Sequence, residues 1–197
     1  MGSFLKVKTL TPPTVLPVDL YEAKDQCVIE HTDDDTLIHR YMSAVTNHIE
    51  SITELSLVMQ KKRLYLNNFS DAVKLPKGPV QSIDQVQYID GDGVTQTLAS
   101  DTYTFDNVED YLRLAYGKTW PSHRGQENAI WIDYWCGYYD PTESPVDITS
   151  HIPQAIKDAI YMMVADLYKN RESTTDIETF ENQAFKMLIS PFRVYVQ

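Results

Sequence analysis

The sequence predicts an α+β fold: a helical bundle built from both chain ends, an antiparallel β-sheet and hairpin region inserted between, and extended N- and C-terminal arms. Three observations predict it. Apolar residues recur at three- and four-residue steps around 33–54 and again around 152–172, the period of a helix with one buried face. Between 57 and 137 that period gives way to partial alternation broken by Gly-Pro and Asp-Gly pairs, the pattern of strands and tight turns. Prolines 12, 13 and 17 punctuate one end and Pro191 the other. The implied organisation is an arm over 1–18, a core over 19–172 with helices at 19–30, 33–54 and 152–172, and a C-terminal helix and tail over 173–197.

Each element has a local reason. "VDLYEAKDQCVIE" reads as a short helix with Asp19 as N-cap and Glu22 in the capping-box position, and Leu20, Ala23, Cys27 and Val28 on one face. In the long helix Leu37, Ile38, Tyr41, Met42, Val45, His48, Ile49 and Ile52 form the stripe, and Asp33, Asp34 and Asp35 at its start suit orphan N–H groups and the helix dipole. A metal site there is disfavoured, because consecutive residues at a helix start diverge. "LVMQKKRLYLNNF" can pair as a strand, and Asp-Gly-Asp-Gly at 90–93 turns a hairpin over 86–98. "DYLRLAY" and "AIWIDYWCGY" read as strands, with 117–128 as a loop between them. Pro153 opens the next helix, whose stripe is Ile156, Ala159, Ile160, Met163, Val164, Leu167 and Tyr168. A weaker helix through Ile177, Phe180, Ala184 and Leu188 ends at Pro191 and leaves "FRVYVQ" as an extended tail.

Composition narrows the function. The formal net charge is −11, from 17 Lys and Arg against 28 Asp and Glu, the opposite of a protein that grips DNA through its phosphates. No apolar run approaches a membrane span, and the N-terminus has no apolar stretch of signal-peptide type. The 2 cysteines are too few for a disulfide scaffold, and a reducing site of synthesis is expected. HExxH, CxxC, GxSxG and the Walker pattern are all missing, and His31, His39, His48, His123 and His151 are scattered.

The segment "IWIDYWCGYYDP" at 130–141 decides whether an enzyme should be considered. In a strand Ile130, Ile132, Tyr134 and Cys136 share one face and Trp131, Asp133 and Trp135 the other. Cys136 then continues an apolar face and acts as a small hydrophobe. Nothing beside it would lower a thiol pKa, so the segment reads as a buried strand. No catalytic residue, cofactor or metal is expected. A surface rich in Tyr and Trp suits either a protein that assembles or a carbohydrate or small-ligand module using Trp120, Trp131 and Trp135.

Five phrases recur in a telling order: "DDDTLIHRYMSAVTNHIESITELSLVMQKKRLYLNNF", "LPKGPVQSIDQVQYIDGDGVTQTL", "WPSHRGQENAIWIDYWCGYYDPTESPVDIT", "IPQAIKDAIYMMVADLYKNRES" and "LISPFRVY". Together, over about residues 19–195, they resemble the head–tail connector, or adaptor, proteins of tailed bacteriophages and gene transfer agents. The family usually has a small residue where this chain has Cys136, which agrees with a structural role. The resemblance implies a structural virion protein of the neck, made in the host bacterial cytoplasm. It implies a ring, typically a dodecamer and in some cases a monomer until recruited. That ring docks under the portal protein, extends the DNA channel and offers a face to the next connector, stopper or tail protein; another head- or tail-completion protein is the related alternative. Passing double-stranded DNA would be repelled, not bound, by an acidic wall of Asp33, Asp34, Asp35, Glu50, Glu54, Asp158 and Glu172; the equal alternative is that the net charge only keeps the monomer soluble. Portal docking is expected of the tail residues Pro191, Phe192, Arg193, Val194, Tyr195 and Val196, as an added strand anchored by Arg193. The hairpin at 86–98 and the loop at 117–128 are expected at subunit or tail-side contacts.

Overall fold

The structure is a computed structural model that describes residues 6–138, 151–170 and 183–193. Strand β1 (Lys6–Thr11) leads to helices α1 (Leu20–Cys27) and α2 (Asp35–Thr53). Strands β2 (Gln60–Leu66), β3 (Ala72–Lys74), β4 (Val80–Ile89), β5 (Thr95–Thr97), β6 (Tyr103–Asp106), β7 (Tyr111–Leu114) and β8 (Ile130–Cys136) follow. Helices α3 (Gln154–Lys169) and α4 (Gln183–Ile189) close the sequence of elements. The fold is α+β. Where the sequence reading treats 19–172 as one core, the chain divides into two compact units: Thr14–Val58 with the chain from Tyr138 onward, and Met59–Gly137 with the N-terminal segment to Pro13.

The helical unit is held by the stripes that the period marks. Ile38, Met42, Val45 and Ile49 of α2 meet Ile156, Ala159, Ile160 and Val164 of α3, all at most 2% exposed. Burying each large aliphatic side chain contributes roughly 1.5–3 kcal/mol. His48 falls outside this face and is exposed, stacked on Phe185 at 6.4 Å. Val28 also departs from the expected buried face of α1, at 90% exposed. At the start of α1, Asp19 accepts from the N–H groups of Tyr21 (2.7 Å) and Glu22 (3.4 Å). Glu22 does not reach back to complete the capping box. Instead the Tyr161 hydroxyl from α3 accepts from the Asp19 N–H at 3.3 Å and donates to the Glu22 carboxylate, bridging the two.

The β unit contains a five-stranded sheet in the order β1-β2-β8-β4-β5 and a three-stranded sheet β3-β7-β6, with antiparallel pairing throughout. Both sheets feed one core, with Leu64, Val86, Ile132 and Tyr134 from the larger and Val73 and Leu112 from the smaller. Part of the expected N-terminal arm is sheet. Lys6–Thr11 pairs with β2 from Lys6↔Tyr65 to Thr11↔Lys61, across an irregularity between Thr9 and Thr11. Its side chains are almost all exposed, so no period reveals it; the backbone ladder recruits it, helped by Val7 against the core and by Lys62 Nζ donating to Thr9 Oγ1 at 3.2 Å. The hairpin turns as its composition demands. The Asp90 carboxylate accepts from the N–H groups of Asp92 and Val94 at 3.1 and 2.9 Å, and Gly93 takes φ +85°.

Candidate functional site

Strand β8 lies between β2 and β4, at the centre of the larger sheet. Its inward face is as expected: Ile130, Ile132, Tyr134 and Cys136 are at most 1% exposed. The Cys136 Sγ lies 3.6 Å from the Gln60 carbonyl oxygen, and the Tyr134 hydroxyl donates to the Pro76 carbonyl at 2.7 Å. Burial likewise pushes the Cys27 thiol up, away from the thiolate a nucleophile needs. The segment is the buried strand.

The opposite face holds what sequence reasoning missed. Asp133, expected to lie outward between the two tryptophans, is 0% exposed. Register sets it between Arg63 of β2 and Gln85 of β4. The Arg63 guanidinium donates Nε to Oδ1 at 2.6 Å and Nη2 to Oδ2 at 2.8 Å, and Gln85 Nε2 donates to Oδ2 at 2.9 Å. Burial pushes this carboxyl up, but the Arg63 and Gln85 bonds outweigh it and hold it below the usual carboxylate range. The guanidinium also lies over Trp131 and Tyr65, 5.5 and 6.0 Å from the ring centroids. Beside it Lys61 pairs with Asp84 at 2.8 Å and sits 5.9 Å from the Trp135 centroid. Trp131 Nε1 donates to Gln87 Oε1 at 2.8 Å. The result is a row of half-buried aromatic rings separated by cations. Its one sequence signal is a charged residue inside an apolar strand, which must find a partner.

The three tryptophans do not converge. Trp120 packs with the apolar core on the other side of the sheet, its ring stacked on Phe69 at 4.7 Å. A carbohydrate platform made of all three therefore lacks its geometry.

The expected acidic wall is only partly available. Asp33 and Asp158 are exposed, Asp158 accepting from Gln154 at 2.7 Å. Asp34 and Asp35 do not cap α2 through their side chains: Asp34 accepts from the Tyr168 hydroxyl at 2.6 Å and Asp35 from Lys24 Nζ at 2.6 Å. They tie the start of α2 to α3 and α1. Glu50 accepts from the Leu57 N–H at 2.7 Å, and Glu54 ends the helix in a left-handed conformation at φ 58°. Glu172 lies outside the described residues.

Of the expected docking tail, Ser190–Phe192 forms a 3-10 turn instead of a strand, and Phe192 packs against the helical core. Arg193 follows in extended backbone and is exposed, while Val194, Tyr195 and Val196 lie outside the described residues. The hairpin tip from Gly91 to Thr97 is exposed. The 117–128 loop is tethered to it, the Arg124 N–H donating to the Ile89 carbonyl at 2.8 Å, and Lys118 pairs with Asp101 at 2.7 Å.

Charge is divided between the units. Met1–Pro13 with Met59–Gly137 holds ten of the 17 basic and ten of the 28 acidic residues. The other unit holds the remaining seven basic and eighteen acidic residues, and so the whole net charge of −11. Among the described residues no group of three His, Cys, Asp or Glu could hold a metal ion, and no helix is long and apolar enough to cross a membrane.

Three solved structures are similar over almost the whole chain. One is from the neck of an empty GTA particle computed with C6 symmetry, at TM-score 0.76 and 19% identity, covering 98% of this chain and 97% of that one. Another is from the virion of a native gene transfer agent (GTA) particle, at TM-score 0.75, 20% identity and 97% coverage of both chains. A third is from the neck of a native GTA particle computed with C12 symmetry, at TM-score 0.72 and 22% identity, covering 99% of this chain and 98% of that one. No curated protein matches in sequence. The profile of the phage gp6-like head-tail connector proteins matches residues 17–113, which span α1, α2 and the strands through most of β7. Over that span the chain is similar to the phage gp6-like head-tail connector family.

Proposed function

We propose that this protein is the adaptor subunit of a phage-like neck. Copies assemble side by side into a ring under the portal, prolong its DNA channel and present a face to the next connector or tail component. The observation that carries this reading is the family match together with a likeness, over 97–99% of the chain, to chains from GTA necks. The C12 symmetry of one of those assemblies supports a ring of twelve. The role is structural: the family is one of connectors, and the buried Cys136 belongs to packing.

The charge division supports a channel role for the helical unit. A surface that DNA passes must not hold it, and a net −11 on one unit supplies a repelling field. Asp33 and Asp158 are the wall acids best exposed for it. Portal attachment falls to the tail from Arg193 onward, with Phe192 anchoring its root in the helical core.

The test is light scattering coupled to size exclusion, on the protein alone and with the portal from its own gene neighbourhood. Rings, or a monomer that joins the portal, are expected. Removing 193–197 should abolish portal binding while leaving the helical signal intact. A chain indifferent to the portal overturns the reading.

A further inference from the structure

Helix α1 ends in a Schellman turn: the Val28 N–H donates to the Asp25 carbonyl and the Ile29 N–H to the Lys24 carbonyl, both at 3.0 Å. Such a turn needs one left-handed residue, ordinarily Gly or Asn. Here it is Val28, at φ 59° and ψ 50°. A side chain branched at Cβ clashes with its own backbone in that region. Glu54, Lys77, Asp110 and Asn128 also take positive φ among the described residues, but none of them is β-branched. The turn sends Ile29 inward, 8% exposed, and Val28 outward, 90% exposed. The strain is thus borne without the isopropyl group being buried anywhere in its own chain.

Val28 is not isolated. Tyr21 near the start of α1 is 72% exposed, and Asp25, between the two in sequence, is exposed too. Glu30 and Asp33, both exposed, follow directly in sequence. The patch mixes two exposed apolar side chains with carboxylates and lies on the unit that holds the whole net negative charge. A complementary surface exists on the same molecule. On the outer face of the five-stranded sheet, half-buried Tyr65, Trp131 and Trp135 stand among Lys61 and Arg63, beside exposed Lys6 and Lys8 on β1. Trp, Tyr and Arg are the residues that dominate interface energetics. Two α1 patches facing each other would oppose carboxylates, whereas an α1 patch on the sheet face sets carboxylates against lysines.

We propose that the Tyr21–Val28 patch of α1 is an intersubunit contact that docks on the Lys- and Trp-bearing face of the five-stranded sheet of a second copy. It rests on the ring reading above. The contact uses two different surfaces, the heterologous arrangement from which rings close.

The experiment uses the full chain and reads melting temperature and ring yield in parallel, the latter by light scattering with the portal present. Val28→Gly and Val28→Asn relieve the turn, so the monomer should melt at an unchanged temperature or about 2–4 °C higher. Ring yield should nevertheless fall at least tenfold. Lys6→Glu with Lys8→Glu should lower it similarly, and adding Asp25→Lys with Glu30→Lys should restore it. Rings at wild-type yield from both Val28 variants overturn the contact. Failure of the charge exchange to rescue overturns the second copy as occupant and assigns the patch to a portal or tail protein. A wild type that never forms rings overturns the ring reading and this contact together, whereas a wild type that assembles alongside equally competent variants overturns the contact alone.

Discussion

In the helical unit, the buried hydroxyls of Thr46 and Thr53 donate to the carbonyls of Met42 and Ile49, one turn back on the same helix, both at 2.7 Å. In the β unit, buried Asp133 depends on Arg63 and Gln85, 70 and 48 positions away in sequence. The unit with these helix-internal threonine bonds carries eleven excess negative charges and spans long range through neutral hydroxyls such as that of Tyr161; the other closes a long-range ion pair and is neutral. The difference is physically coherent. A helical core of Ile, Met and Val needs no charge pairing, so its surface is free to be acidic. A sheet that buries a carboxylate must keep a cation fixed beside it.

The largest expected effect breaks the ion pair. Asp133→Ala leaves the Arg63 guanidinium and the Gln85 amide without their acceptor, and a loss of about 3–5 kcal/mol is expected. Trp120, Trp131 and Trp135 all lie in the β unit, so tryptophan fluorescence reports it, while helical circular dichroism reports chiefly the other. In urea the fluorescence transition should move to lower denaturant and the helical transition should stay. If the two always move together, the units unfold as one body and the contrast fails. Acid should reach the same pair more gently. Asp133 has a folded pKa below its unfolded value, so its stabilisation is present above about pH 4 and is lost as pH falls through the folded value. Asp133→Asn should flatten the fluorescence-detected acid dependence; a slope equal to wild type would exclude this carboxylate as its source.

A loss of about 3 kcal/mol is expected from Ile160→Ala, which opens a cavity in the helical core where Ile160 is 0% exposed. Here the helical transition should shift and the fluorescence transition hold. The smallest effect sharpens the reading of β8. Cys136→Ala removes only a buried sulfur and should cost about 1 kcal/mol, with assembly on the portal unchanged. Loss of assembly in a fully folded variant would contradict a purely packing role.

Legibility follows the range of the interactions. The α2 and α3 stripes were readable because neighbours on a helix face are three and four positions apart. His48 was the exception, since the edge of a stripe depends on what packs there. The hairpin was readable because Asp90 and Gly93 act within the turn itself. Strand β1 was not, because all its side chains but Val7 are exposed and its partners on β2 lie 50 or more positions away. The triple Asp33-Asp34-Asp35 looked like a cap, yet two of the three found donors on other helices that no local rule names.

By itself, then, the sequence determined the fold class, the inward face of β8, the turn chemistry, the acidic balance and the order of phrases that marks the family. All of these rest on local period, local conformation or composition. Tertiary structure decided the rest: the division into two units that gathers the charge on one, and the burial of Asp133 against Arg63. It also decided the separation of Trp120 from Trp131 and Trp135. Each depends on strand register or packing between residues far apart along the chain, and no short window of sequence contains both members of such a pair.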